Sequence, residues 1–176
     1  MATTYLIDVF NLLHCYPPTR SLMDENKLLE AEILFLNEIL NFTQNNPAKC
    51  FLFFDGMNKE LAEKWNYPNI KIIFCHPQSA DDRMKAHIKN IYGQRALKNK
   101  TVTVSDDRNI ISFSKRYDIE IMKSNQFLEL LHETITHPRM KIASREKPET
   151  PTSAEIEEYL NLLAEDDLKK QDNENE

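Results

Sequence analysis

The chain has 176 residues, 41% hydrophobic and 28% charged, which suits one globular domain with its own core and is too short for two full ones. Its glycines are Gly56 and Gly93 alone, where average usage of about 7% would give roughly twelve; neither G-x-G-x-x-G nor G-x-x-x-x-G-K-[ST] can be written with them, which excludes kinases, P-loop NTPases and Rossmann dehydrogenases. The net charge of −6 belongs to the tail, because residues 145–176 carry 4 basic and 11 acidic side chains and leave 18 and 17 for residues 1–144.

The first predicted element is a strand at Tyr5–Ile7, preceded by no basic leader. No run approaches 18 apolar residues, so neither a signal peptide nor a membrane span is expected, and the compartment implied is the cytoplasm. Leu28, Ala31, Phe35, Ile39 and Phe42 then form a helical stripe that Asn46-Pro47 ends. Strands follow at Cys50–Phe54 and Ile70–Cys75. Ser79 with Asp82 is a capping pattern for a helix carrying Met84, Ile88, Ile91 and Tyr92. A strand at Thr101–Val104, a helix at about Arg108–Arg116, a weaker strand at Ile119–Met122 and a helix at Gln126–Ile135 complete the body. The strands are continuously apolar rather than alternating, as strands covered on both faces are, and strand–helix alternation predicts a mainly parallel sheet of four to five strands with helices on both sides. The body is expected over residues 1–144, a Pro-containing linker over 145–153, a helix over 154–170 and a disordered acidic tail over 171–176. That helix is a candidate contact for a protein partner. Cys15, Cys50 and Cys75 are odd in number, lie far apart and read as buried free thiols in a reducing compartment.

A strand followed by aspartate recurs along the body. Asp8 ends the first strand, Asp55 the second, Asp81 and Asp82 follow the third, and Asp106 with Asp107 end the fourth. Strand C-termini of an open parallel sheet share one edge, so these acids converge on one crevice. Gathered carboxylates repel unless some are protonated or a cation sits among them, and hard oxygen donors favour Mg²⁺ or Mn²⁺ over zinc. Each acid also has a local reading: Asp82 as part of the cap, Ser105-Asp106 as the next helix cap, Asp55-Gly56 as a turn. Asp8 resists such a reading because it interrupts the apolar Leu6-Ile7-Asp8-Val9-Phe10, where a carboxylate is costly without a compensating charge. Asn11 follows, with an amide able to hold Asp8 or a water, or to serve in a turn or cap.

Residues 83–116 hold nine basic side chains against Asp106 and Asp107. Arg83, Lys85, Lys89, Arg95, Lys98, Arg108, Lys115 and Arg116 are the candidates to hold neighbouring phosphates, and a solvated helix face is the competing reading. An acidic cluster beside a basic stretch suggests phosphodiester chemistry, with the ion generating the nucleophile from water.

Leu6-Ile7-Asp8-Val9-Phe10-Asn11, Phe53-Phe54-Asp55, Ser79-Ala80-Asp81-Asp82 and Thr103-Val104-Ser105-Asp106 together resemble the NYN branch of the PIN-like nucleases, nearest the YacP-like proteins, which include a bacterial ribosome-associated endoribonuclease. The resemblance covers about Tyr5–Leu131. It implies a PIN-like three-layer α/β/α sandwich, and Asp8, Asp81 and Asp106 as metal-binding catalytic acids with Asn11 and Asp82 in support; Asp55 and Asp107 are additional candidate acids from the strand-then-aspartate recurrence. The resemblance also implies a divalent metal, Mg²⁺ or Mn²⁺, and endonucleolytic cleavage of RNA, mRNA at the ribosome, leaving a 5′-phosphate. Val9 stands where the family has glycine and Ser79 where it has threonine.

A haloacid-dehalogenase-type phosphatase needs a second carboxylate at the position of Phe10 and is rejected. A receiver domain would need an acidic neighbour for Asp8. His14, His76, His87, His132 and His137 show no spacing suited to zinc or to paired-histidine ribonuclease chemistry. The alternative of another class is a non-catalytic RNA- or ribosome-binding module on the same fold. The near-neutral body gives it little non-specific RNA affinity of its own.

Overall fold

The computed structural model describes residues 2–55, 65, 67–94, 98 and 100–136. In chain order these form β1 (Thr3–Asp8), α1 (Val9–Cys15), α2 (Pro17–Asp24), α3 (Leu28–Asn45), β2 (Ala48–Phe54), β3 (Ile70–Phe74), α4 (Ala80–Tyr92), β4 (Thr101–Val104), α5 (Arg108–Arg116), β5 (Glu120–Met122) and α6 (Ser124–Thr136). The chain divides into two compact units, Met1–Met140 and Lys141–Glu176. The expected linker, the helix over 154–170 and the tail lie outside the described residues, as do Arg95 and His137.

The five strands form one all-parallel sheet in the order β3-β2-β1-β4-β5. Its centre is apolar on both faces: Leu6, Ile7, Leu52 and Val104 are fully buried. This is why the strands read as continuous apolar runs. Leu6 and Phe53 pack with Met84, Ile88 and Ile91 of α4 and Ile110 of α5 in one core cluster. Its neighbour Tyr5 points the other way, against Phe42 of α3 and Phe127 of α6, with ring centroids 5.6 and 5.2 Å away. Alternation along β1 therefore loads both helical layers, giving a three-layer α/β/α sandwich.

Two helices were not foreseen. The apolar Val9-Phe10 continuation hides the start of α1, and Pro17 and Pro18 open α2 at positions where a missing N–H costs nothing. The stripe on α3 is buried from Ala31 onward, but Leu28 is 40% exposed. Tyr92, placed on the core face of its helix, is 53% exposed and instead meets the ring of Tyr117 edge-on at 5.1 Å. Cys50 and Cys75 are buried free thiols, whereas Cys15 is exposed because α1 turns that face outward at its last turn. Among the described residues no helix is long and apolar enough to cross a membrane.

Candidate active site

Strand order reverses direction between β1 and β4: the chain builds outward from β1 through β2 and β3, then returns to add β4 and β5 on the other side. At such a switch point the connections leave in opposite directions and open a crevice beyond the strand C-termini. Asp8 is the last residue of β1, and Ser105 directly follows β4.

Asp8 is only 5% exposed. It is the N-cap of α1, its Oδ1 accepting the Asn11 backbone N–H at 3.4 Å. Oδ2 accepts from the Asn11 side-chain amide and from Ser105 Oγ, the latter at 3.1 Å. Ser105 Oγ in turn accepts the Asp107 N–H at 3.1 Å and the Asn11 amide at 3.3 Å. The result is a fixed lattice tying the end of β1, the first turn of α1 and the β4–α5 loop together. Burial raises the proton affinity of Asp8; the hydrogen bonds from Asn11 and Ser105 oppose this, and repulsion from Asp81 adds to it. Among the described residues no basic side chain forms an ion pair with Asp8.

The other acids separate by role. Asp55 accepts the Ala80 N–H at 2.6 Å and so closes the N-terminus of α4 from the end of β2. Ser79 is the N-cap of that helix, accepting the Asp82 N–H at 3.2 Å, and Asp82 itself is exposed. Asp107, rather than Ser105 or Asp106, is the N-cap of α5: its Oδ1 accepts from Asn109 and Ile110 at 2.7 and 3.0 Å. Asp55 and Asp107 are thus occupied with helix ends. Asp81 lies 3.5 Å from Lys85 in a half-exposed i,i+4 pair. Asp106 accepts from the Cys15 thiol at 3.7 Å, at the far end of α1.

Asp8, Asp81 and Asp106 share the switch-point edge. Among the described residues, no three His, Cys, Asp or Glu side chains are gathered closely enough to form a closed metal cage. The donor set nevertheless fits a hard, water-retaining ion, which takes one or two carboxylates and completes its shell with waters and substrate phosphate. Buried Asp8, without a cationic partner among the described residues and facing Asp81, carries the negative charge such an ion needs.

The basic candidates are spread along α4 and α5. Arg83 and Arg108 are exposed near the helix starts, and Lys115 and Arg116 lie exposed on the last turn of α5. Lys85 is engaged by Asp81, Lys98 by Asp118 at 2.8 Å, and Lys89 lies over the Phe113 ring at 5.8 Å. Ser105 was read only as a cap, although it stands in the Thr103–Asp106 motif; its hydroxyl is the part of that motif touching Asp8. The place of Cys15 beside Asp106 had no sequence signal.

An acid-bearing switch point on a parallel three-layer sheet defines a nuclease-type, RNA-related class of protein once the comparisons are added. The family model described as the YacP-like NYN domain matches residues 5–172, and the chain belongs to that family. Among solved structures it is similar to Rae1 (YacP) from Bacillus subtilis, with a TM-score of 0.61 and 17% identity over 96% of this chain and 92% of the other. A mutant form of the same protein gives 0.62 and 13% over 77% and 78%. No curated protein matches the chain.

Proposed function

We propose that the chain is a metal-dependent endoribonuclease that hydrolyses RNA phosphodiester bonds, acting in the cytoplasm on mRNA in association with the ribosome. The observation that carries this reading is Asp8: a carboxylate buried at the switch point, aimed by three hydrogen bonds and given no cation among the described residues. Asp8, Asp81 and Asp106 would hold Mg²⁺ or Mn²⁺. Bound there, the ion would lower the pKa of a water and offset charge building on the phosphate. Asn11 and Ser105 orient Asp8, so the carboxylate needs little reorganisation when substrate arrives. Asp82 sits on the first turn of α4 beside Asp81. Arg83, Lys85, Lys89, Arg95, Lys98, Arg108, Lys115 and Arg116 would hold flanking phosphates by charge alone. In this reading residues 1–144 are the nuclease domain, 145–153 a linker, 154–170 a helix for a protein partner and 171–176 an acidic tail.

The second reading, a non-catalytic RNA- or ribosome-binding module, is favoured by the lack of a closed three-acid cage among the described residues. One assay separates the two. End-labelled RNA incubated with the protein should yield fragments with 5′-phosphates in Mg²⁺ or Mn²⁺, and none in EDTA or with Asp8→Asn. Cleavage that persists in excess EDTA overturns the metal-dependent reading; RNA bound but never cut establishes the binding module.

A further inference from the structure

A cavity of about 220 Å³ begins one residue beyond Asp8. That is below the roughly 300–1,000 Å³ typical of sites for drug-sized ligands, and suits a single flat ring system. Val9, Leu13, Leu28 and Phe54 give it apolar walls. Phe10 lines it with a ring that is 48% exposed and held edge-on by His14 at 4.6 Å. Leu28 and Glu32, one turn apart on α3, both face it, which gives a use to the member of the α3 stripe that the core leaves out.

Among the described residues its polar groups are two carboxylates with different situations. Asp55 is answered by the Ala80 N–H. Glu32 is 6% exposed, and among the described residues it has neither a hydrogen-bond nor an ion-pair partner. The apolar walls leave this carboxylate poorly solvated although its oxygens are not sealed off, and a ligand that brings donors to them relieves that cost. Two acids repel phosphate and admit N–H groups. Apolar walls and an exposed aromatic ring admit a flat heterocycle. Sequence-specific RNA recognition works on unstacked bases read along their hydrogen-bonding edges. Of the four RNA bases, guanine alone offers two adjacent N–H donors on its Watson–Crick edge, the match for an acceptor-only carboxylate.

Resting on the RNA-cleaving reading, we infer that this cavity is a base subsite, taking an unstacked guanine near the scissile phosphate against Phe10, with Glu32 accepting its two N–H groups. Burial pushes Glu32 up to about 7, so the ionised form is the one that gains most from an incoming pair of donors.

The test needs no cleavage. The full chain, methyl-labelled at Val and Leu and kept in EDTA, is titrated with the ribotetranucleotides UUGU, UUAU, UUCU and UUUU. UUGU is expected to shift the Val9, Leu13 and Leu28 methyls at concentrations at least about tenfold below the other three. Phe10→Ala, at an exposed position, should weaken UUGU about tenfold, the loss of one base–aromatic stack. Glu32→Gln should level the preference for UUGU over UUAU. Pocket methyls that ignore all four RNAs, that answer n-butylamine instead, or that keep the same ranking in Glu32→Gln overturn the subsite. Failure of the enzyme reading looks different: methyl shifts with guanine preference but no cutting in Mg²⁺ would leave the subsite standing on a binding module.

Discussion

The acidic edge and the basic helices handle charge in opposite ways. At the end of β1 one carboxylate is buried and fixed by Asn11 and Ser105. Along α4, α5 and the stretch between them the positive charges are exposed, laid over rings or already paired, as Lys85 is with Asp81 and Lys98 with Asp118. Buried charge depends on geometry and is poorly screened, whereas exposed charge depends on number and salt. In the proposed reading, chemistry therefore belongs to a few irreplaceable atoms at the switch point, and substrate holding to a diffuse set of interchangeable ones.

The sharpest way to break that contrast is Asp8→Asn. It keeps the shape and removes the charge, so cleavage should fall at least about a hundredfold, as loss of a group acting in the transition state does. Because Asp8 is destabilised by burial and by Asp81, thermal stability should hold or rise. Rates and melting temperature measured on one preparation check both halves, and a variant that cuts normally would move the site elsewhere.

Glu32 gives the next largest effect, this time on stability. Its native pKa of about 7 lies above its ordinary 4.5. The folded state therefore holds a proton that the unfolded state releases between those values. Stability from this group is intact below pH 4.5 and declines as pH rises through about 7, by up to about 3 kcal/mol. Glu32→Gln should flatten that decline, so its advantage over the native protein in urea titrations grows from pH 5 to pH 8. An advantage of the same size at the two pH values would mean that another group meets Glu32.

On the basic side, replacing Lys85, Lys89 and Arg108 together should weaken RNA binding and lower the salt slope by about 2, at roughly 0.7 per phosphate contact on a single strand. Asp81 already holds Lys85, which makes the single Arg108 variant the cleaner comparison. Binding measured across a salt series gives the number directly, and an unchanged slope reduces the stretch to a solvated face.

Most of the layout was legible because periodicity survives folding. Continuous apolar strands announce a sheet covered on both sides, and the α3 and α4 stripes fix which faces go inward. What escaped detection was set by tertiary neighbours. Val9-Phe10 continues the apolar run of β1, yet Asp8 ends the strand by capping α1, so hydropathy could not mark that boundary. Leu28 and Tyr92 keep helical phase with the core but sit past its rim, where phase alone carries no depth. In the site, the motifs located Asp8, Asn11 and Ser105 on one edge. Nothing in spacing could show that Glu32, twenty-four residues beyond Asp8, would stand without a partner among the described residues.

Asp106 and Asp107 supply the smallest effect and the finest contrast, since two adjacent aspartates stand on opposite sides of it. Asp107 accepts two backbone N–H groups at the start of α5, whereas among the described residues Asp106 meets only the Cys15 thiol, at 3.7 Å. Removing the cap with Asp107→Ala should cost about 1 kcal/mol of stability, as losing an N-cap does. It should leave the chemistry largely in place, with the loss read as a lower denaturation midpoint at unchanged m-value. Asp106→Asn should do the reverse, holding the midpoint and losing cleavage. If instead Asp107→Ala abolishes cutting at full stability, the carboxylate serving the ion is the one here assigned to the helix.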